Sequence, residues 1–226
     1  MKNNIGITVL LIFFLGACSS SGVDFKTTKS VVKNENWEIH VEKSVFFSED
    51  KKTEESCRLF NGKLNELIDS LQSSLKSEAD TFFMAFRSDT VNRPIFNYEL
   101  YVTDSVYMAD KHYISLRVLT YTFTGGAHGM TNFYAFNYDV EKRQFLQPAQ
   151  LLDMKKSAEI DALLKKNFKN PEGCFTEVPT LSNGYTAFNF SSDSVYFTYP
   201  QYVLGPYSCG YAQVSIPRTE LKNIWK

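Results

Sequence analysis

The segment Gly125-Gly126-Ala127-His128-Gly129 is where this sequence comes nearest to chemistry. Three glycines permit positive φ and let backbone N–H groups approach a ligand closely. An imidazole among them, His128, has the type for a general base or a metal ligand. The plainer reading is a wide hairpin whose glycines supply turn geometry while His128 bonds nearby backbone. A metal centre would need several ligands converging. The remaining histidines, His40 and His112, have no carboxylate or thiol at metal-ligand spacing, so neither a metal nor a cofactor is expected. There is no Gly-x-Ser-x-Gly elbow, Ser-x-x-Lys, His-Glu-x-x-His or phosphate loop, and no residue is assigned a catalytic role. A second cluster is aromatic: Tyr199, Tyr202, Tyr207 and Tyr211 crowd one loop, with Tyr196 on the strand before it. Tyrosine joins a large apolar face to a hydroxyl, which suits protein interfaces and sugar stacking. Gly125, Gly126, His128, Gly129, Tyr202 and Tyr207 are therefore the candidate binding residues. The plainer role for the tyrosines is covering a sheet edge.

The four cysteines bear on compartment and stability. Cys174 and Cys209 lie in glycine-containing loops (Glu172-Gly173-Cys174 and Ser208-Cys209-Gly210) and are the expected disulfide pair, although Cys57, at a helix start, leaves other pairings open. The fourth, Cys18, follows an apolar run, Ile5 to Leu15, of about ten residues, too short to cross a bilayer as a helix. Leu15-Gly16-Ala17-Cys18 resembles a bacterial lipobox, which implies cleavage before Cys18 and acylation of its thiol. Each buried methylene of an acyl chain contributes about 0.8 kcal/mol to membrane attachment. Residues 1–17 then form a signal peptide and residues 18–33 a polar, flexible tether. Ser19 is not an acidic residue of the type that retains lipoproteins at the inner membrane. The expected location is the outer membrane, facing the periplasm.

The elements that must position these residues follow from periodicity. Trp37, Ile39 and Val41 alternate with Glu38, His40 and Glu42 as in a half-buried strand. After a charged turn, Ser48 to Glu55, residues Phe60, Leu64, Leu67, Ile68, Leu71 and Leu75 trace a helical stripe that Ala79, Phe82 and Phe83 extend. From Pro94 the chain reads as strands: 96–103, a short 106–109 beyond an Asp104-Ser105 turn, 113–123, and 133–138 after the glycine turn. Asp153 caps a helix through Ile160 and Leu164. A hairpin, 185–199, the strand 213–216 and a closing helix from Arg218 complete the chain. The class is α+β: a largely antiparallel meander against a long N-terminal helix and shorter C-terminal helices. The expected division is an N-terminal strand-helix-strand portion, 34–104, and a C-terminal α+β domain, 105–226.

Of 226 residues, 24 are Lys or Arg and 25 are Asp or Glu, a formal charge of −1. That balance lacks the basic face nucleic acid requires.

Three separated pieces carry a family resemblance: Tyr121-Thr122-Phe123-Thr124-Gly125-Gly126-Ala127-His128-Gly129; Ala135-Phe136-Asn137-Tyr138-Asp139 leading to Leu151-Leu152; and Tyr196 to Tyr207, ending in Val214-Ser215-Ile216-Pro217. In this order they resemble the PdaC/RsiV-like extracytoplasmic domain. That domain is shared by the lysozyme-sensing anti-sigma-V factor and the N-terminal region of a peptidoglycan deacetylase. The resemblance implies a non-catalytic envelope module that recognises a lysozyme-like protein or a cell-wall component. The sequence shows neither a sigma-binding segment nor a deacetylase catalytic domain, so neither activity is carried over. Two alternatives stand beside it: a cell-wall glycan enzyme using His128, and a structural envelope lipoprotein without a small ligand.

Overall fold

The computed structural model describes residues 22–89 and 91–226, together with the backbone of 8–10. Among these, ten strands form two sheets. The larger takes its strands in chain order: β1 (Thr8–Leu10), β2 (Asp24–Lys33), β3 (Trp37–Phe47), β4 (Tyr98–Ala109), β5 (Tyr113–Phe123), β6 (Met130–Asp139) and β7 (Gln144–Phe145). The smaller is an antiparallel sheet of β8 (Ala187–Phe190), β9 (Ser194–Tyr199) and β10 (Ala212–Pro217), with β9 central. The expected α+β class is the one observed. The larger sheet is mixed, because β3 and β4 run parallel, with Trp37 opposite Tyr98 and Val41 opposite Val102. Parallel neighbours need a crossover, and the long helix α1 (Lys51–Met84) supplies it.

The chain divides into two compact units. Unit one is residues 1–104 and 119–131; unit two is residues 105–118 and 132–226. Residues 119–131, the second half of β5 and the turn after it, pack with unit one. Antiparallel folding explains this: β5 turns back along β4, so its second half lies beside the first half of β4, with the Tyr101 and Tyr121 rings 6.2 Å apart. The glycine turn travels with it.

Unit one is built on α1, whose 34 residues extend about 50 Å at 1.5 Å per residue. Cys57, Phe60, Leu64, Ile68, Leu75, Ala79 and Phe83 form its buried stripe, and Ile39, Val41, Phe46, Leu100 and Val102 are buried on the strands. The helix starts earlier than its apolar stripe. Asp50 accepts the Thr53 N–H at 2.9 Å, and Glu54 accepts the Ser48 N–H at 2.8 Å, converting the expected charged turn into a capped first turn.

Two further expectations change. Residues 18–33 read as a tether, yet Asp24–Lys33 is a ten-residue strand paired throughout with β3, and Val23 is buried. Most of its side chains stay exposed, so backbone hydrogen bonding and not an apolar stripe holds it, which hydropathy patterning does not detect. Asp104-Ser105 read as a turn, yet β4 runs unbroken through it. The Asp104 carboxylate accepts the Ser44 N–H at 2.6 Å and the Ser44 hydroxyl at 2.8 Å, which places the polar residue inside the sheet.

In unit two, Phe188, Phe190, Val195, Phe197, Tyr199, Val214 and Ile216 from the small sheet pack with Ile160 and Leu164 of α3 (Ser157–Asn167). A four-residue helix, α2 (Pro148–Leu151), precedes it. Asp153 caps a 3-10 turn, 154–156, that leads into α3. The expected closing helix is the 3-10 turn Arg218–Leu221. Cys174 and Cys209 form a disulfide, with Cα atoms 5.7 Å apart, and Cys57 is buried as a free thiol. Cys18 and nearly all of 1–17 lie outside the described residues. Among the described residues no helix is long and apolar enough to cross a membrane.

Candidate functional site

The glycine turn joins β5 to β6 in unit one. Gly125 and Gly126 have φ of 100° and 92°, a region closed to most side chains. Gly129 is required for a different reason. A Cβ there would come within 2.5 Å of both the Thr122 carbonyl oxygen and the Tyr121 ring. This closeness lets the Gly129 N–H donate to the Tyr121 hydroxyl at 3.1 Å. His128 Nδ1 lies 3.0 Å from the Gly129 carbonyl oxygen, so as an N–H it donates to backbone. The turn thereby fixes the Tyr121 ring by its hydroxyl.

From Tyr121 a row of rings runs across the sheet. Tyr121 meets Tyr101 on β4, and Tyr101 stacks on His40 of β3 with centroids 4.5 Å apart and planes 9° from parallel. Strand alternation puts His40 and Tyr101 on one face, while Ile39, Val41, Leu100 and Val102 point to the other, buried face. Tyr101 is 37% exposed. Beside the row lies a shallow groove of about 200 Å³ lined by Lys29, Val31, His40, Glu42, Tyr101 and Thr103. His40 Nε2 lies 2.7 Å from Glu38 Oε1, and Glu38 faces Glu99 in register. Burial, then the Glu99 and Glu38 charges, raise the Tyr101 pKa, so the phenol stays neutral and can donate. A half-exposed ring row with a carboxylate and imidazole at one end, and a glycine turn at the other, can stack on a sugar face or receive a protein side chain.

A larger polar cleft, about 460 Å³, sits near the C-terminal end of α1. Two of its donor side chains are committed to the fold: the Arg93 guanidinium donates to the Glu35 carbonyl and to Asn36 Oδ1, and Asn36 Nδ2 donates to Asp80.

The tyrosine loop belongs to unit two, so the sequence candidates divide between the units. Tyr202 and Tyr207 do come together, with centroids 5.6 Å apart. Tyr202 is 57% exposed and has φ of 70°, a conformation that costs an L residue about 1–2 kcal/mol. Tyr199 is instead buried, its hydroxyl donating to the Thr180 carbonyl at 3.0 Å. His112 Nδ1 lies 3.0 Å from Glu141 Oε1. Each histidine thus has a local partner, and among the described residues no three His, Cys, Asp or Glu gather as a metal site. Sequence reasoning missed His40, Tyr101 and Tyr121 as one group. The signal was present as polar and aromatic residues on the alternate positions of β3, β4 and β5, but only the pairing of these strands aligns them.

The fold and site define a two-unit α+β chain with a disulfide and an aromatic sheet face. Residues 30–131 match the family model described as Deacetylase PdaC, and residues 141–219 match that described as Protein of unknown function (DUF3298). The two matches follow one another along the chain, the first within the N-terminal half and the second within the C-terminal half. A crystal structure of a DUF3298 family member from Bacteroides fragilis shares the fold, with a TM-score of 0.58 at 14% identity over 99% of this chain and 94% of that one. A DUF3298 family protein from Pseudomonas aeruginosa aligns at a TM-score of 0.49 and 17% identity over 92% of this chain and 95% of that one. No curated protein matches. The PdaC match, together with the disulfide, points to an extracytoplasmic protein.

Proposed function

We propose that the chain is a lipid-anchored, non-catalytic binding module of the bacterial cell envelope. Acylation of Cys18 attaches it to the outer membrane facing the periplasm, and its ligand is a lysozyme-like protein or a cell-wall glycan. The observation that carries the binding role is the row His40–Tyr101–Tyr121 on a solvent-facing sheet surface, braced at one end by the glycine turn. The PdaC domain over 30–131 contains the whole row, which supports assigning recognition to unit one.

Retention on immobilised lysozyme and on purified sacculi tests the reading. The whole chain should be retained on one of them, and Tyr101→Ala should weaken retention about tenfold, the worth of about 1.4 kcal/mol. Absence of retention on both materials at micromolar concentration defeats the binding role. Acylation is checked separately, as the mass of two or three acyl chains on the N-terminal peptide and its loss in Cys18→Ala.

A further inference from the structure

Unit two buries an arginine that has no counter-ion among the described residues. Arg117, on β5, is 6% exposed. One terminal nitrogen donates to Thr198 Oγ1 at 3.2 Å, while Nε is buried and has no hydrogen-bond partner among the described residues. The guanidinium lies 5.6 Å from the ring centre of Tyr107, 5.2 Å from that of Phe133 and 5.5 Å from that of Tyr211. Burial raises the Tyr107 pKa although Arg117 opposes it, so that phenol remains neutral and supplies no negative charge.

A buried cation normally pairs with a carboxylate, because aromatic faces return only part of the lost hydration. An arginine with an idle Nε–H has a donor free at the edge that carboxylates bind in bidentate fashion. The cage also has one wall that reaches solvent. Tyr211 is 41% exposed and follows Gly210, whose φ of 74° and ψ of −156° lie where only glycine is at ease. Gln213, beyond it, is exposed and donates to the Tyr107 hydroxyl, which gives the rim amide and phenol groups.

We infer that Arg117 is the floor of a carboxylate-binding site, covered by Tyr211, that takes a small hydroxylated or amide-bearing acid. This site goes beyond the recognition face proposed above and rests on unit two alone. In a cell wall, such a carboxylate comes from an acidic amino sugar or from a peptide C-terminus, and the probes separate the two.

Calorimetric titration of the whole chain with N-acetylmuramic acid, with acetyl-D-alanyl-D-alanine and with N-acetylglucosamine as the neutral control decides it. Saturable binding of either acid, at least tenfold tighter than the neutral sugar, supports the site and names its source. Arg117→Met should abolish this binding while leaving the thermal midpoint equal or higher, since a buried unpaired charge is removed. Arg117→Lys should weaken binding at least tenfold. Tyr211→Ala, at an exposed position, should bind with a faster association rate. The inference is overturned if neither acid binds to the wild type or to Tyr211→Ala, if the neutral sugar binds equally well, or if Arg117→Met binds as the wild type does. Sacculus retention lost in Tyr101→Ala but kept in Arg117→Met would leave the unit-one reading standing while this one falls.

Discussion

Unit one and unit two solve the same problem of covering a sheet by different means. Unit one lays a single 34-residue helix over its strands, and its core is a continuous apolar stripe with no disulfide among the described residues. Its one cysteine among the described residues, Cys57, is a packing residue whose thiol burial pushes up to about 12. Unit two has a core shared by a three-stranded sheet and the short helix α3, and it adds two supports. One is the Cys174–Cys209 disulfide. The other is a buried polar lock: Ser115 Oγ donates to Asn137 Oδ1 at 2.7 Å, and Asn189 Nδ2 donates to Ser115 Oγ at 3.1 Å and to the Leu116 carbonyl at 2.9 Å. Asn137 Nδ2 in turn donates to the Phe188 carbonyl at 2.8 Å. The contrast teaches that a long amphipathic helix supplies enough apolar burial by itself, whereas short elements need cross-links that also fix their register.

The largest test strikes the stripe. Phe60 is fully buried and contacts Phe46 edge-on at 5.0 Å, so Phe60→Ala should cost about 4 kcal/mol. Iodoacetamide should then modify Cys57, which in the native chain reacts only after unfolding. A variant whose Cys57 stays protected and whose denaturant midpoint is unmoved breaks the account of unit one. Next comes the disulfide, which closes a separation of 35 residues. The double change Cys174→Ser, Cys209→Ser should cost about 3–4 kcal/mol by loop entropy. Hydrogen exchange should show the loss in β8–β10 and α3, and protection lost equally along α1 would erase the distinction.

A third test uses pH. Burial is the leading cause that raises the Asp104 pKa, against the two Ser44 hydrogen bonds that lower it. A carboxyl that holds its proton more tightly when folded contributes fully below its unfolded value. The contribution disappears as pH rises through the higher folded value. Wild-type stability should therefore decline over that window relative to Asp104→Asn, which has no carboxyl to titrate. Parallel stability–pH curves for the two would refute it. The smallest effect belongs to Arg218, stacked 3.9 Å from the Trp225 ring centre. Arg218→Ala should cost below about 1 kcal/mol and shift Trp225 fluorescence, while Trp37 in unit one stays unchanged.

Much of the fold was legible where burial is one-sided. The stripe Phe60, Leu64, Ile68 and Leu75 announced α1, and the alternation of Trp37, Ile39 and Val41 announced β3, because each element meets water on one face. The strand 24–33 was illegible, since its hold is backbone pairing and its side chains stay exposed. Asp104 misled because a lone Asp-Ser reads as a turn until Ser44 is known to lie opposite. The GGAHG turn was found, but its partners His40, Tyr101 and Tyr121 were not, since they are separated by 81 positions in the chain.

The sequence by itself determined the α+β class, the long helix and the two residues, Cys174 and Cys209, whose loops permit a bridge. These follow from local periodicity and turn chemistry. Tertiary structure decided that the glycine turn belongs to unit one, that three rings on three strands share a face, and that Arg117 is buried with no carboxylate beside it among the described residues. Each of these depends on which strands lie side by side. Pairing is a long-range choice made by the packing of the whole unit, and no single segment encodes it.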